Sequence, residues 1–228
     1  MNTRVHPAGD SAWLVELPER IDPAVNARAI EIARAVERSA LPVTDVVVGY
    51  RTVMVFVDPL ANGAEAAGAT LESIALAQAD TPDTAGPLVE VPVCYDEPYA
   101  PDLDDVAAFG SCTPDDVIAL HLSREYRVFV VGFVPGFAYM ASVDPRIAAP
   151  RRSSPRVKVP AGSVAVAAGQ TGIYPAPTPG GWNVIGRCPI RPYDPARTAP
   201  FLFRAGDRVR FQRVTAGEYR TSTQWGDA

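Results

Sequence analysis

The region that decides the fold runs from Tyr126 to Arg187 and reads YRVFVVGFVPGFAYMASVDPRIAAPRRSSPRVKVPAGSVAVAAGQTGIYPAPTPGGWNVIGR. It breaks into short apolar runs, among them YRVFVVGF, SVAVAAG, TGIY and WNVIG, which glycine and proline separate. Two similar runs follow, FLFR from Phe201 and DRVRFQRV from Asp207. Short strands with closely spaced turn residues are typical of an antiparallel barrel or sandwich rather than a βαβ sheet. The sequence therefore predicts a mostly β domain here.

The first 80 residues carry a different pattern, in which strand and helix signals alternate. Ser11 to Leu17 reads as a strand, and Asp22-Pro23 supplies an N-cap followed by proline at the first helical position. Two β-branched runs then lie between Asp45 and Asp58, and helical spacing of apolar residues returns from Ala64 to Gln78. The order β-α-ββ-α predicts a small α+β domain over residues 1–80, ferredoxin-like in outline.

A polar stretch with two prolines and no periodicity joins the two regions, and we expect residues 81–87 to be a linker. The second domain then spans 88–228. It opens with a strand from Leu88 to Val93, and two short helices are predicted at 102–109 and 114–122. Thr113 is the expected N-cap of the second helix, with Pro114 at its first position.

Composition excludes several classes of protein. The 228 residues carry a net charge of −5, which gives no general attraction to nucleic acid or to anionic lipid. Three cysteines at wide spacing do not form a disulfide framework or a zinc site, and no metal ligand set is predicted. With no apolar stretch near membrane-spanning length and no signal-like start, we expect a soluble cytoplasmic protein.

Proline is concentrated in the second domain, where twelve of the 23 prolines lie between Pro135 and Pro200 among glycines. Such loops are stiff, and the aromatic residues inside them could line a cleft; barrel corners that simply need glycine and proline are the alternative interpretation. The predicted substrate-binding residues are Phe133, Pro135, Gly136, Phe137, Tyr139, Gly162, Thr171, Tyr174, Gly180, Gly181, Trp182 and Arg187.

One basic cluster lies beside these loops and contains Arg146, Arg151, Arg152, Arg156 and Lys158. Guanidinium groups recognise carboxylate and phosphate in a bidentate manner, so the cluster is a candidate anion-binding site. The alternative is that it forms a solvated face or an interface with another chain. Lys158 is the only lysine, and it does not lie in a phosphate-binding G-x-x-x-x-G-K-[ST] loop. The candidate catalytic residues here are Arg151, Arg152, Lys158 and Gln170.

Nucleophilic catalysis has little support in the sequence. Only His6 and His121 are present, and no G-x-S-x-G motif occurs. His121 is kept as a candidate catalytic residue, although its place on the Val117 side of a helix favours a buried, hydrogen-bonded histidine. The helix pair at 102–122 is not predicted to bind DNA, because its five aspartates would oppose phosphate.

Two strings are more particular than a generic barrel: GFVPGFAYM at 132–140 and PRRSSPRVKVPAGSVAVAAGQTGIYPAPTPGGWNVIGRCPIRPYDP at 150–195. With GDSAWLVEL from Gly9, YRTVMVFVDP from Tyr50 and FLFRAGDRVRF from Phe201, they resemble the family of the 5-oxoprolinase B subunit, also called allophanate hydrolase subunit 1. This family includes an inhibitor of a sporulation histidine kinase. The chain departs from the family pattern at Ala138, where proline is frequent, and at Cys188, where threonine is frequent.

The resemblance implies an α+β N-terminal domain followed by a mostly β, cyclophilin-like barrel. It also implies a heteromeric complex in which the B subunit works with a carboxyltransferase-like C subunit and with the A subunit, opening 5-oxoproline to glutamate at the expense of ATP. ATP with Mg would then be the cofactor, bound here or by a partner subunit, and this chain alone would be inactive. A urea- or allophanate-directed carboxyltransferase and a non-enzymatic histidine-kinase inhibitor are the alternatives that the family leaves open.

Overall fold

The structure, a computed structural model, describes residues 3–20, 22–78 and 86–225. The chain divides into two compact units, Met1–Ala85 and Gly86–Ala228. Most of the predicted linker, residues 81–85, lies outside the described residues.

Unit 1 combines an antiparallel sheet with two α-helices and a short 3-10 helix at Ala64–Ala66. Its elements are β1 (Arg4–Pro7), β2 (Ala12–Glu16), α1 (Pro23–Glu37), β3 (Val43–Val48), β4 (Thr52–Val57) and α2 (Ala67–Ala77). The sheet order is β1-β2-β4-β3. Apolar side chains of both helices and of the strands β2 and β4 form its core.

The predicted order β-α-ββ-α is present from β2 to α2, and the start of α1 is confirmed: the Asp22 carboxylate accepts hydrogen bonds from the amides of Ala24 and Val25. β1 was not predicted. It is only four residues long, RVHP, and too short and polar to show the alternation that marks a strand. The predicted second helix is interrupted at its start, since its first turn is the 3-10 helix.

Unit 2 is mostly β. Its strands are β5 (Leu88–Cys94), β6 (Glu125–Val131), β7 (Ala138–Ala141), β8 (Arg156–Val159), β9 (Ser163–Ala167), β10 (Gln170–Ile173), β11 (Thr178–Gly180), β12 (Asn183–Arg187) and β13 (Arg208–Val214). Its helices are α3 (Leu103–Gly110), α4 (Pro114–Leu122) and α5 (Ala216–Ser222), with a 3-10 helix at Pro145–Ile147. The N-cap predicted at Thr113 is confirmed, and it is part of a capping box in which Thr113 and Asp116 exchange hydrogen bonds. The run FLFR does not form a strand, since Phe201 makes only an isolated bridge to Tyr193.

Seven of the described strands close into a barrel in the order β10-β7-β6-β13-β5-β12-β9, while β8 and β11 form a separate two-stranded sheet. Of the predicted alternatives, barrel or sandwich, the structure has the barrel, but it is not antiparallel throughout as predicted. β5 and β13 pair in parallel from Leu88 opposite Arg208 to Cys94 opposite Val214. Parallel neighbours need a long connection, and these two strands come from opposite ends of the unit, where local turn signals do not reveal their pairing.

Strand β9 separates two apolar clusters and so positions the site. Val164 and Val166 belong to the larger core, which includes α3 and α4, whereas Ala165 and Ala167 belong to a smaller cluster containing Phe137, Tyr174 and Trp182. Successive side chains of a strand point to opposite faces, and each face of β9 is covered by one of the two clusters. All five residues of β9 are therefore buried. The smaller cluster therefore rests on a strand that is packed from both sides.

Candidate functional site

A cleft of about 260 Å³ opens over the smaller cluster. It is lined by Phe133, Phe137, Tyr139, Arg151, Pro155, Tyr174, Pro179, Gly180, Gly181 and Trp182. All of these except Pro155 and Pro179 were predicted as site residues. Pro179 belongs to the glycine- and proline-rich loop before Trp182, and Pro155 lies within the basic cluster, so the signals that marked these two stretches could have found both prolines.

Phe137 is the centre of the aromatic wall. Its ring centroid lies 4.8 Å from that of Tyr139, 5.2 Å from that of Tyr174 and 5.5 Å from that of Trp182, with the planes steeply inclined in each pair. Edge-to-face packing at these distances is favourable. Phe137, Tyr174 and Trp182 are nearly fully buried, so their rings present a fixed apolar surface to the cleft.

Phe133 stands at the edge of this wall in a strained backbone conformation. Its φ is +70°, in the left-handed region that a large aromatic residue rarely adopts, and the side chain is 64% exposed. The ring still meets Phe137 edge to face at 5.9 Å. Strain of this kind persists only where the surrounding structure holds it, and it is concentrated at binding and active sites.

Two of the five cations in the basic cluster beside the cleft are bound to one buried aspartate. Asp102 is 1% exposed and accepts hydrogen bonds from Arg152 at 2.6 Å, from two nitrogens of Arg156 at 2.7 Å each, and from the amide of Val184 at 2.7 Å. The Asp102 hydrogen bond raises the pKa of Arg156 further. Arg152, a candidate catalytic residue, is thus engaged in a structural network.

Arg151 differs from its neighbours. It lines the cleft, it is exposed, and within the described ranges it makes no ion pair. The backbone beside Arg151 is fixed by the next residue, since the Arg152 amide donates a hydrogen bond to the Gly181 carbonyl at 2.8 Å. The cleft therefore combines aromatic walls with one guanidinium whose hydrogen-bonding capacity is unused by the described residues.

The tyrosines of the cleft are held in their neutral form. Burial raises the pKa of both Tyr139 and Tyr174, and the nearby positive charge of Arg151 offsets part of this rise in each case. Both phenols are therefore hydrogen-bonding groups and not bases at neutral pH. The Arg151 charge therefore acts on both phenols of the aromatic wall.

Gly180 lies where a side chain would not fit. A Cβ atom there would come within 2.4 Å of the Tyr174 hydroxyl, whereas a Cβ at Gly181 would meet its nearest neighbour, Pro155, at 3.6 Å. We expect Gly180→Ala to displace the buried Tyr174 ring and to lower the free energy of unfolding by about 1–3 kcal/mol. Gly181→Ala is the matched control and should change stability by less than about 0.5 kcal/mol. Equal urea midpoints for the two variants would contradict the assigned packing.

Residues 3–203 match the family described as carboxyltransferase domain, subdomain C and D. The chain belongs to this family. Over 227 residues it is 35% identical to the 5-oxoprolinase B subunit of Bacillus subtilis (strain 168), and the alignment covers 95% of each chain. The chain thus spans nearly the whole length of this relative.

Two solved structures show the same architecture. The crystal structure of TTHA0988 matches with a TM-score of 0.77 and 39% identity, covering 89% of this chain and 40% of that one. The chain therefore spans about two fifths of the length of that relative. The K. lactis urea amidolyase matches with a TM-score of 0.79 but 20% identity, over 96% of this chain and 15% of that one, which shows the fold alone.

In this member of the carboxyltransferase subdomain C and D family, His121 lies inside the protein and away from the cleft lining. The Thr171 hydroxyl donates to the Ala165 carbonyl at 3.1 Å, so it accepts from Nε2 of His121 at 2.9 Å. Nδ1 then accepts from the Tyr95 hydroxyl at 2.8 Å. Burial lowers the pKa of His121 to about 3. The neutral tautomer with hydrogen on Nε2 satisfies both partners.

The remaining predicted residues lie outside the cleft lining. Gly136 and Gly162 have positive φ and are packed closely, with Gly136 against Tyr193 and Gly162 against Trp225. Pro135 is exposed in the turn next to Gly136, Lys158 is exposed on β8, Gln170 is half-buried on β10, and Arg187 donates to the Ala161 carbonyl.

Metal-binding clusters and membrane-spanning helices are both absent from the described residues. Within residues 3–20, 22–78 and 86–225, no cluster of three or more histidine, cysteine, aspartate or glutamate side chains is arranged to hold a metal ion. In the same part of the chain, no helix has the length and apolar character needed to cross a membrane.

Proposed function

We propose that this chain is the B subunit of an ATP-dependent 5-oxoprolinase, in which it works with the C and A subunits to open 5-oxo-L-proline to L-glutamate. The observation that carries the proposal is the 35% identity to a protein named as the B subunit of 5-oxoprolinase across 95% of both chains. The cleft supports it, because a small aromatic-walled site with a free guanidinium suits a compact ring that bears a carboxylate. The family resemblance also favours a cyclophilin-like description of the barrel.

The described cleft supplies binding and orientation, but it does not supply a complete catalytic set. Its lining holds neither a thiol nor a carboxylate nor an imidazole, and its two phenols are neutral. Opening a lactam requires breaking the ring C–N bond with water, and an amide is a poor electrophile that needs activation. We therefore propose that the reacting groups come from a partner subunit and that this chain alone is inactive.

The residues of the cleft do not fit ATP with Mg. The lining offers one cation and no carboxylate, whereas a nucleotide triphosphate needs several phosphate contacts and a metal site. The sequence also contains no G-x-x-x-x-G-K-[ST] loop. We propose that the nucleotide is bound by a partner subunit, and we assign no step of ATP chemistry to this chain.

Co-expression tests the function. The chain combined with the C and A subunits is expected to hydrolyse ATP in a 5-oxoproline-dependent manner and to release glutamate, while the chain alone gives no turnover. The measurement is phosphate release with and without 5-oxoproline, with each of the three proteins omitted in turn. Absence of glutamate formation by the complete, correctly assembled set would contradict the proposal.

A carboxyltransferase acting on urea or allophanate is the second candidate. It is favoured by a 31% identical stretch of 132 residues in a protein named putative urea carboxylase from Emericella nidulans, although that match covers 53% of this chain and 10% of the relative. Replacing 5-oxoproline by urea or allophanate in the same assay separates the two candidates. Turnover of urea in preference to 5-oxoproline would replace the first proposal with the second.

A further inference from the structure

The five cations of the basic cluster differ in their ion-pair partners and in their position relative to the cleft. This difference singles out one of them as a candidate ligand-binding group. Arg146 is paired with Asp144 at 3.1 Å, and both Arg152 and Arg156 are bound to the buried carboxylate of Asp102. Lys158 is exposed on β8 outside the cleft lining. Arg151 alone among the five lines the cleft, and it has no ion-pair partner in the described ranges.

The surroundings of Arg151 select against most ligands. The other lining residues are aromatic rings, prolines and glycines, so the cleft carries one positive charge and no negative one. An apolar surface strengthens the interaction of a guanidinium with an anion, because less water competes for the charge. A neutral polar ligand gains little from that charge, whereas a ligand with one carboxylate gains two parallel hydrogen bonds.

The backbone that carries Arg151 is also anchored, through the hydrogen bonds of its neighbour Arg152. The Arg152 amide is hydrogen-bonded to the Gly181 carbonyl of the cleft lining, and Asp102 ties the Arg152 side chain to the start of α3 and to β12. The guanidinium of Arg151 therefore extends from an anchored chain. A long side chain on an anchored backbone loses less conformational freedom on binding than one on a mobile loop.

We propose that Arg151 is the specificity-determining residue of the cleft and binds the carboxylate of a small ring substrate whose apolar face rests on the wall formed by Phe137, Tyr139 and Trp182. This assignment rests on the proposed function, for which the substrate is 5-oxoproline, a five-membered lactam with a single carboxylate. It predicts discrimination against the same ring without the carboxylate, 2-pyrrolidinone, and against neutral urea. Arg151 acts in binding, and no proton transfer is assigned to it.

The test compares the two lactams in the complete complex of this chain with the C and A subunits. In the wild-type complex, kcat/KM should favour 5-oxoproline over 2-pyrrolidinone. Arg151→Gln should lower kcat/KM for 5-oxoproline by about 10- to 100-fold, the range expected for a lost charge-assisted hydrogen-bond pair. The same variant should change the value for 2-pyrrolidinone by less than about threefold. Where turnover of 2-pyrrolidinone is too slow, its inhibition constant against 5-oxoproline gives the same comparison.

Arg220→Gln is the matched control. Arg220 is an exposed arginine near the end of α5, outside the cleft lining, and its replacement should leave both lactams unaffected. Arg151→Lys should recover part of the loss, because it restores the charge without the planar fork.

The outcomes separate this proposal from the function on which it rests. A selective loss for 5-oxoproline supports the assignment of Arg151. Equal losses for both lactams, or an unchanged kcat/KM for 5-oxoproline in an active complex, would overturn that assignment and leave the function intact. A wild-type complex that does not turn over 5-oxoproline would overturn both.

Discussion

Replacing Asp102 by alanine is expected to lower the free energy of unfolding of unit 2 by about 3–5 kcal/mol, the range found when one partner of a buried ion pair is removed. The carboxylate is 1% exposed, and its loss leaves Arg156 and the amide of Val184 without this acceptor and Arg152 with only the exposed carboxylate of Asp105. The segment that positions Arg151 would lose its attachment to α3 and β12 at the same time. Activity of the complex should therefore fall together with stability.

Asp105 provides the matched control for this experiment. Its carboxylate is 70% exposed and lies 3.4 Å from the same Arg152 nitrogen. Exposed pairs contribute little, so Asp105→Ala should cost less than about 1 kcal/mol. Urea unfolding followed by tryptophan fluorescence, in a Trp13→Phe background so that the signal comes from unit 2, measures both variants. Similar losses for Asp102→Ala and Asp105→Ala would show that burial of the pair does not govern its contribution.

Acidification is expected to destabilise unit 2 through His121. Burial lowers the pKa of this histidine from 6.5 to about 3. Below pH 6.5 the unfolded chain binds a proton that the folded chain does not, so stability is fully present above that pH and declines as pH falls towards 3. The slope is about 1.4 kcal/mol per pH unit well inside this window, which amounts to a loss of about 2 kcal/mol between pH 7 and pH 5.

Unfolding free energies of three proteins at pH 7, 6 and 5 isolate this contribution. His121→Gln is less stable than the wild type at every pH, because the Tyr95 and Thr171 hydroxyls lose a well-placed partner, but its dependence on pH in this window should be flatter by about 2 kcal/mol. His6→Gln, which removes the half-exposed histidine of unit 1, should keep the wild-type slope for unit 2. An identical slope in His121→Gln would rule out the buried histidine as its source.

Local signals in the sequence predicted local structure well. The N-caps at Asp22 and Thr113 are confirmed because a cap is specified by residues within one helical turn. Most of the short strands after Tyr126 are confirmed for the same reason, since glycine and proline mark their ends. Strand β1 was not predicted because RVHP is too short to show the alternation of apolar and polar residues that marks a strand.

For the candidate site, too, local features were predicted and contacts between distant residues were not. Its aromatic and glycine residues were predicted from a compositional cluster, and the fold brings most of them to one cleft. The neutralising role of Asp102 was missed, because its partners Arg152 and Arg156 lie 50 and 54 residues away and nothing in the sequence links them. Sequence reasoning therefore treated five cations as one patch, whereas the fold leaves Arg151 as the one that faces the cleft.

The parallel pair of β5 and β13 has a consequence for how unit 2 is made. β5 is the first strand of the barrel to leave the ribosome, and the neighbour that completes its pairing is the last. Until residues 208–214 emerge, β5 and β6 both present open edges, which are templates for wrong pairing. Closure also waits on a contact between distant parts of the chain, which slows folding. The barrel therefore closes only once β13 is available, and a chain truncated before β13 is expected to aggregate rather than fold.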